Sequence, residues 1–449
     1  MCIRDRDYLE ESKISELLNK YNKFMPHPIK FGTKEETIPG KEGEKEEKAT
    51  IDNIINNPNP AWTKPPADLK DEDYKQFYRE LYPYQFEEPL FHIHLNVDYP
   101  FNLTGILYFP KISNDLNLQK DRIQLYQNQV FVTDNVEGIV PEFLGLLKGV
   151  IDSPDIPLNV SRSYLQSDAS VKKITNYITR KVADKLNSIF KNERENLESK
   201  WNDIKVVIEY GMLTEDKFYD KAESFNLYPT VDDKYFTYEE LEKKIKKLQT
   251  DKDGNLIILY AQNKDEQYTY IESAKEKGYE VLLLDSPIIP HLMQKLESKK
   301  EKIKFSRVDS DTLENLIKKD EEVISKLTDE EKEKLKPMIE TAVENEKYTV
   351  QLEALDSNSM PFMLAQPEFM RRMKEMQQTG GGAMGNLPDM YSLIVNTNHE
   401  LVGKILNTRT EKKRNSLIKQ SIDLAKLSQN NLTGKDLTEF INRSIDLIK

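Results

Sequence analysis

The stretch that decides the fold is LIILYAQNKDEQYTYIESAKEKGYEVLLLDSPIIPHLMQKLESKKEKIKFSRV, residues 256–308. Its apolar runs alternate with segments of helical pattern in the order strand 256–261, helix 266–277, strand 279–285, helix 288–296 and strand 303–308. Strands that alternate with helices are joined by right-handed crossovers and lie parallel in one sheet. The segment therefore predicts a small three-stranded parallel α/β unit.

A larger sheet-and-helix part is predicted upstream of this unit. Residues 91–97 alternate apolar and polar side chains, and residues 103–109 and 123–133 are rich in β-branched and aromatic residues, which is typical of strands. A long helix is predicted over residues 171–201, where one face is apolar throughout: Ile174, Ile178, Val182, Leu186 and Ile189. We expect this helix to pack across the sheet.

The predicted fold class is multidomain, α/β and α+β. Residues 32–50 interleave Lys with Glu and contain few apolar side chains. The free energy gained by burying so few apolar groups cannot offset the conformational entropy lost on ordering, so we predict a flexible charged linker. The predicted divisions are 1–30, the end of an N-terminal domain; 31–60, the linker; 61–335, a middle domain made of a large part (61–205), a helical connector (206–250) and the small α/β part (251–335); and 336–449, a mixed α/β C-terminal domain that ends in a helical dimerisation bundle.

Composition excludes several classes of function. The net charge of the 449 residues is -12 at pH 7, which repels nucleic acid and anionic lipid at long range. The apolar runs are far shorter than the roughly 18 residues that a membrane-spanning helix needs. The single cysteine, Cys2, excludes an internal disulfide and a multi-cysteine zinc site, which suits a reducing compartment. We expect a cytoplasmic protein that binds neither nucleic acid nor membrane.

The most informative motif is PLNVSRSYLQ, residues 157–166. Ser161 can cap a helix, which would place Arg162 and Gln166 on one face of its first turns. Helix N-termini attract anions, and an arginine there adds a permanent forked positive charge, so a phosphate could bind. The alternative is that Arg162 makes an ordinary salt bridge and that Gln166 faces solvent.

Here the chain resembles the HtpG-type molecular chaperones, bacterial relatives of the ninety-kilodalton heat-shock proteins. The resemblance is carried by motifs in matching order and spacing: FVTD (131–134), IVPEFL (139–144), KGVIDS (148–153) and PLNVSR (157–162). It extends to DYLEE (7–11), AWTK (61–64) and residues 396–401. It departs at Asn128 and Gln129, where many relatives carry arginines.

The resemblance implies an ATP-driven cycle in the complete protein. It assigns Arg162 to the γ-phosphate of an ATP, with Mg, that the N-terminal domain holds; Gln166 assists, and Asn159 and Ser161 belong to the same nucleotide-contacting loop. That domain would lie upstream of residue 7, so we expect this chain alone to bind no ATP and to be inactive as an ATPase. Whether the chain counts as an enzyme is therefore left open, and a nucleotide-independent dimeric holder or scaffold is the alternative.

A methionine-rich stretch is the predicted surface for client proteins, meaning unfolded or partly folded polypeptides. Phe369, Met373 and Met376 share one helical face with Met370 nearby, while Arg371, Arg372 and Lys374 lie away from it. Flexible thioether side chains can adapt to many partners. The alternative is that these residues pack the C-terminal core. By resemblance, Trp62 joins the client-binding residues.

The final helices carry more apolar side chains than two helices can bury against each other. We therefore predict a homodimer interface, as the resemblance also implies, formed by Leu417, Ile422, Leu437, Phe440, Ile441 and Ile445. A bacterial heat-shock-type cochaperone is a further candidate partner.

Two other readings of the sequence involve small ligands. His92 and His94 lie two apart, which places both on one strand face at metal-ligand distance, but without a third ligand we expect a solvated face and no metal. A small-molecule enzyme built on residues 256–308 is an alternative function, although we find no nucleophile or base there.

Overall fold

The computed structural model describes residues 10–38, 47–111, 123–136, 138–156, 169–320, 323–343, 347–380 and 390–448. The chain forms two compact units, residues 1–225 and 226–449. We call them unit 1 and unit 2.

Unit 1 is built around a mixed sheet. Its helices and strands, in chain order, are α1 (Glu11–Tyr21), β1 (Lys30–Ile38), β2 (Glu47–Ile54), α2 (Asp71–Leu81), β3 (Phe91–Val97), β4 (Leu103–Phe109), β5 (Gln124–Gln127), β6 (Val130–Thr133), β7 (Lys148–Asp152), α3 (Ala169–Asn192), α4 (Arg194–Ser199), α5 (Trp201–Thr214) and α6 (Asp216–Ala222). The sheet order is β3-β4-β7-β5-β6, and only β5 and β7 pair in parallel. The predicted apolar stripe of α3 is buried from Ile174 to Ile189, and α3 contacts β3.

The backbones of β4 and β7 approach closely at two glycines. A Cβ on Gly149, whose φ is +128°, would lie 2.0 Å from the Ile106 carbonyl oxygen, and one on Gly105 would lie 2.3 Å from the Val150 carbonyl oxygen. No other residue type fits such a contact without moving a strand. This is the physical reason for the glycine in the KGVIDS motif.

The predicted flexible linker is wrong for part of its length. β1 and β2 pair as an antiparallel hairpin, with Thr33 opposite Asp52 and Glu35 opposite Thr50. The Asn56 side chain closes its base, since Asn56 accepts a bond from the Ile29 amide and donates to the His27 carbonyl. Backbone hydrogen bonds stabilise this pair without help from an apolar core, which is why composition alone did not reveal it.

Unit 2 contains two further sheets of three strands. Its helices and strands are β8 (Tyr228–Pro229), β9 (Tyr235–Phe236), α7 (Tyr238–Gln249), β10 (Leu256–Ala261), α8 (Tyr268–Glu276), β11 (Val281–Leu283), α9 (Ile289–Lys299), β12 (Ile303–Arg307), α10 (Leu313–Leu316), α11 (Asp329–Glu340), β13 (Tyr348–Glu353), β14 (Phe362–Ala365), α12 (Glu368–Gly380), β15 (Tyr391–Asn396), α13 (Glu400–Asn407), α14 (Glu411–Ser428) and α15 (Gly434–Ile448). The order β11-β10-β12, all parallel, confirms the predicted small α/β unit. The second sheet, β13-β15-β14, packs with α11, α13 and α14 around a shared apolar core.

The small α/β part and the C-terminal part lie together in unit 2, although the sequence predicts a division at 335–336. Met363 of β14 packs against the core of the α/β part, and the Tyr270 hydroxyl donates to the Leu364 carbonyl oxygen at 3.4 Å. Ionic contacts of α12 add to these. Contacts between the two parts therefore explain why they form one compact body.

Candidate functional site

The predicted client helix, α12, exposes its apolar face and buries its charged face, whereas an ordinary surface helix does the reverse. Phe369 on its apolar face is 70% exposed, and Met370, Met373 and Met376 are partly exposed. The Arg371 side chain on its charged face is only 4% exposed. None of the four apolar residues belongs to the apolar core of the C-terminal sheet, so the alternative that they pack this core is not supported.

Arg371 is the centre of the buried charged face. It donates to Glu368 at 2.6 Å, to Glu375 one turn further along α12, and to the hydroxyl of Tyr260 on β10. The Tyr260 hydroxyl in turn donates to Glu368 at 2.8 Å. Burial works to lower the pKa of Arg371, but Glu368, Tyr260 and Glu375 raise it above its ordinary value. The guanidinium is therefore charged at every physiological pH.

Arg372 binds the same helix to α9 and β12. It makes a two-pronged contact with Glu297 of α9 at 2.8 and 3.3 Å, and it donates to Glu368 at 2.6 Å and to the Phe305 carbonyl oxygen. Burial works to raise the pKa of Glu368, yet Arg371 and Arg372 hold it below its ordinary value. Both arginines therefore face the ionised carboxylate of Glu368, and charge-assisted hydrogen bonds of this kind are stronger than neutral ones.

The carboxyl ends of β10 and β12 are occupied by this network. Arg307, the last residue of β12, donates from its amide to Glu368 at 3.2 Å and from its side chain to Asp309 and to Gln262, which follows β10. In parallel α/β sheets a small ligand binds at these strand ends. Here α12 contacts them, so the enzyme alternative gains no support from this edge.

Sequence reasoning identified both faces of α12 but missed the partners of its charged face. Glu368, Arg371 and Arg372 are spaced three and four apart, which is a visible signal for ion pairs within a helix. Tyr260 and Glu297 are 111 and 75 positions away from their arginine partners, and only the tertiary fold brings them there.

Trp62 lies in the interior of unit 1. It is 1% exposed, and its ring packs against Phe24, Phe77 and Tyr126. Its Nε1–H donates to the Asp152 carboxylate at 3.2 Å. A side chain in this position contacts its own core, so we do not keep Trp62 in the client surface.

The predicted dimer residues separate into buried and exposed groups. Ile441 and Ile445, one turn apart on α15, are each 47% exposed, and Leu417 and Leu437 are partly buried. Phe440 is 9% exposed, and Ile422 is 3% exposed inside the core of the C-terminal sheet. Ile422 therefore cannot contribute to an interface without leaving that core. Leu424 and Leu427 of α14 add exposed apolar surface.

The motif that contains Asn159, Ser161, Arg162 and Gln166 lies outside the described residues. The end of β7, which precedes this motif in the chain, is held by hydrogen bonds. Asp152 accepts from the amide of Gln129 at 2.9 Å, and the Gln129 side chain donates to the Pro58 carbonyl oxygen at 3.1 Å. Asn128 and Gln129, the two departures from the family pattern, form the β5–β6 turn with φ of 50° and 65°.

The sequence predicts that His92 and His94 lie on a solvated strand face, and this is wrong because Tyr74 of α2 packs against both rings. The His92 ring stacks on Tyr74 with centroids 3.7 Å apart, and His94 Nδ1 lies 2.9 Å from the Tyr74 hydroxyl. Burial, with Lys185 nearby, lowers the pKa of His92 to about 4. Over the described ranges, no group of three His, Cys, Asp or Glu side chains could hold a metal ion.

In the part of the chain that the structure describes, no helix is both long enough and apolar enough to cross a bilayer.

The chain is similar to known proteins over nearly all of its length. Residues 33–429 match the family described as Hsp90 protein. The chain is 48% identical to the chaperone protein HtpG of Bacteroides thetaiotaomicron, over 99% of this chain and 74% of that protein. It is 52% identical to the chaperone protein HtpG of Porphyromonas gingivalis, over 94% of this chain and 62% of that protein. For the chaperone protein HtpG of Clostridium acetobutylicum the identity is 28%, over 89% of this chain and 64% of that protein.

Proposed function

Because the chain belongs to the Hsp90 protein family, we propose that it is a molecular chaperone that binds unfolded or partly folded client proteins on the apolar face of α12. The observation that carries this proposal is the exposure of that face. Phe369 is 70% exposed while the neighbouring Arg371 is buried. A surface that keeps an aromatic ring and adaptable thioethers in solvent suits partners of variable shape.

Replacing Phe369 and Met370 with serine is expected to weaken client binding. A bound client would cover both side chains, and losing that apolar burial corresponds to roughly a tenfold fall in affinity or more. The measurement is suppression of aggregation of a heat-labile protein, titrated with the chain, together with client affinity from fluorescence anisotropy.

The matched control is Phe86→Ser, which removes an aromatic ring that is 97% exposed in unit 1. We expect it to leave client affinity unchanged. Equal losses in the two variants would contradict a specific surface on α12 and would indicate general adhesion through exposed aromatic rings.

We further propose that the chain acts within a homodimer held by exposed apolar residues of α14 and α15. Four such side chains are Leu424, Leu427, Ile441 and Ile445. In a two-fold arrangement the same four side chains of each copy would be buried against those of the other copy.

The ATP-driven part of the cycle is a separate proposal, supported by the PLNVSR motif. Arg162, with Gln166, would reach a γ-phosphate and stabilise charge that develops during hydrolysis, with Asn159 and Ser161 shaping the loop. Adding the purified ATP-binding domain of a relative to this chain should raise ATP turnover, and Arg162→Ala should return it to that of the added domain alone. A turnover that does not rise when the domain is added would favour the nucleotide-independent holder, and a rise that Arg162→Ala leaves unchanged would contradict the role of Arg162.

A further inference from the structure

The orientation of α12 is unusual in energetic terms. A helix with one apolar and one charged face ordinarily buries the apolar face, because burial of large side chains is favourable and burial of charge is costly. α12 does the reverse. Phe369 is exposed, and the Arg371 and Arg372 side chains are only 4% and 13% exposed. Some specific interaction must therefore select this orientation.

The selecting interaction is the ionic network beneath the helix. Glu368 and Glu375 come from α12 itself, whereas the acceptors and donors from elsewhere are Tyr260, Gln262, Glu297, Phe305, Arg307 and Asp309. These groups lie at the carboxyl ends of β10 and β12 and on α9. Tyr260, Gln262, Glu297, the Phe305 carbonyl and the Arg307 amide bond to the charged face of α12, and Asp309 joins the network through Arg307.

We propose that Arg371 and Arg372 are positioning residues that fasten the charged face of α12 to the small α/β unit and thereby hold its apolar face outward. Buried ion pairs add little net stability compared with apolar packing, but they discriminate strongly between arrangements, since one unpaired partner is costly. Without the two cations, Glu368 and Glu297 lose their guanidinium partners, while Arg307, which pairs with Asp309 and lies 3.8 Å from Glu375, keeps its charge beneath the helix. Carboxylates left without a partner are costly to keep buried. The helix then gains most by turning over and burying Phe369 with the methionines.

The consequence for clients rests on the proposed function. If the apolar face of α12 binds clients, the two arginines determine whether that face is available. The orientation of the helix itself can be measured without any client, so the two ideas can fail independently.

A single thiol can report which face of α12 is outward. Cys2 is the only cysteine of the sequence, so Cys2→Ser with Met373→Cys leaves one thiol on the apolar face and keeps Phe369, whose burial would drive the helix to turn over. The reaction of this thiol with iodoacetamide, a small neutral reagent, is followed across pH. The plateau above the thiol pKa reports access alone and removes any change in thiol ionisation caused by neighbouring charges.

In this background, Arg371→Gln with Arg372→Gln is expected to lower the plateau rate about tenfold or more, because the outward orientation becomes a minor population. The matched control is Lys334→Gln with Lys336→Gln, which removes two exposed cations from α11 of the same unit. The control should keep the original rate. Circular dichroism and the melting temperature establish that each variant is folded.

A plateau rate that is unchanged or faster in the folded arginine variant would overturn the proposal, since α12 would then keep its face outward, or detach, without the network. Should the double variant fail to fold, Glu297→Gln provides the second test. It removes one charge but keeps an oxygen that can accept from the Phe305 amide, which Glu297 now binds at 2.7 Å. We expect about a threefold slower plateau there, and an unchanged one would equally overturn the proposal.

Discussion

Replacing Ile441 and Ile445 with aspartate is expected to convert dimers into monomers and to raise the dissociation constant about a thousandfold or more. Both side chains are 47% exposed in the single chain and lie one turn apart on α15, so they form one continuous apolar strip. In a two-fold interface the substitutions bring four carboxylates into a small apolar contact. Each unpaired charge costs several kcal/mol to remove from water. Sedimentation velocity over a range of protein concentrations measures the effect.

The control for this variant is Ile324→Asp, which places the same charge on an 87% exposed isoleucine of unit 2. It should sediment as the original chain does. A dimer that persists in the Ile441→Asp, Ile445→Asp variant would show that the chains associate through another surface. A monomeric original chain at tens of micromolar would remove the proposed interface altogether.

The strands of the small α/β unit and the helix α3 could be predicted because each follows from local periodicity, whereas the β1–β2 hairpin does not. The strands of the α/β unit are short apolar runs between helical segments, and all six residues of β10 are buried as such runs require. The apolar stripe of α3 recurs at intervals of three and four residues, and it is buried along its length. In each case the residues that form the pattern are close together in the sequence.

Other features depend on residues that are far apart in the sequence. Periodicity shows that α12 has two different faces, but it does not tell which face is buried, because Tyr260 and Glu297 decide this from distant elements. Ile422 illustrates the same limit. Its helix is apolar on more than one side, and only the fold assigns it to the core, while it leaves Leu424 and Leu427 exposed.

The PLNVSR motif predicts a phosphate contact through resemblance to a family, and physical chemistry alone does not. A serine followed by an arginine is a weak signal for phosphate, since most arginines at such positions form ordinary ion pairs. The assignment of Arg162 rests on the neighbouring motifs that carry the same resemblance.

The prediction for Trp62 separates a core role from contact with clients. Trp62→Ala is expected to destabilise unit 1 by about 3–5 kcal/mol, because it removes a ring that is 1% exposed and leaves a cavity among Phe24, Phe77 and Tyr126. It also removes the donor that Asp152 accepts at 3.2 Å. The sequence has two tryptophans, so Trp201, which is also buried in unit 1, remains as a fluorescent probe of urea unfolding.

Trp62→Phe is the matched variant, since it keeps an aromatic ring and loses chiefly the Nε1–H. Asp152 keeps its bond from the Gln129 amide, so we expect a loss of only about 1–2 kcal/mol. If Trp62 stabilises the core and nothing more, Trp62→Phe binds clients as tightly as the original chain at temperatures where both are folded, while Phe369→Ser with Met370→Ser does not. Weaker client binding by a fully folded Trp62→Phe would show instead that unit 1 opens at this position to expose the tryptophan, and the client surface would then have to extend beyond α12.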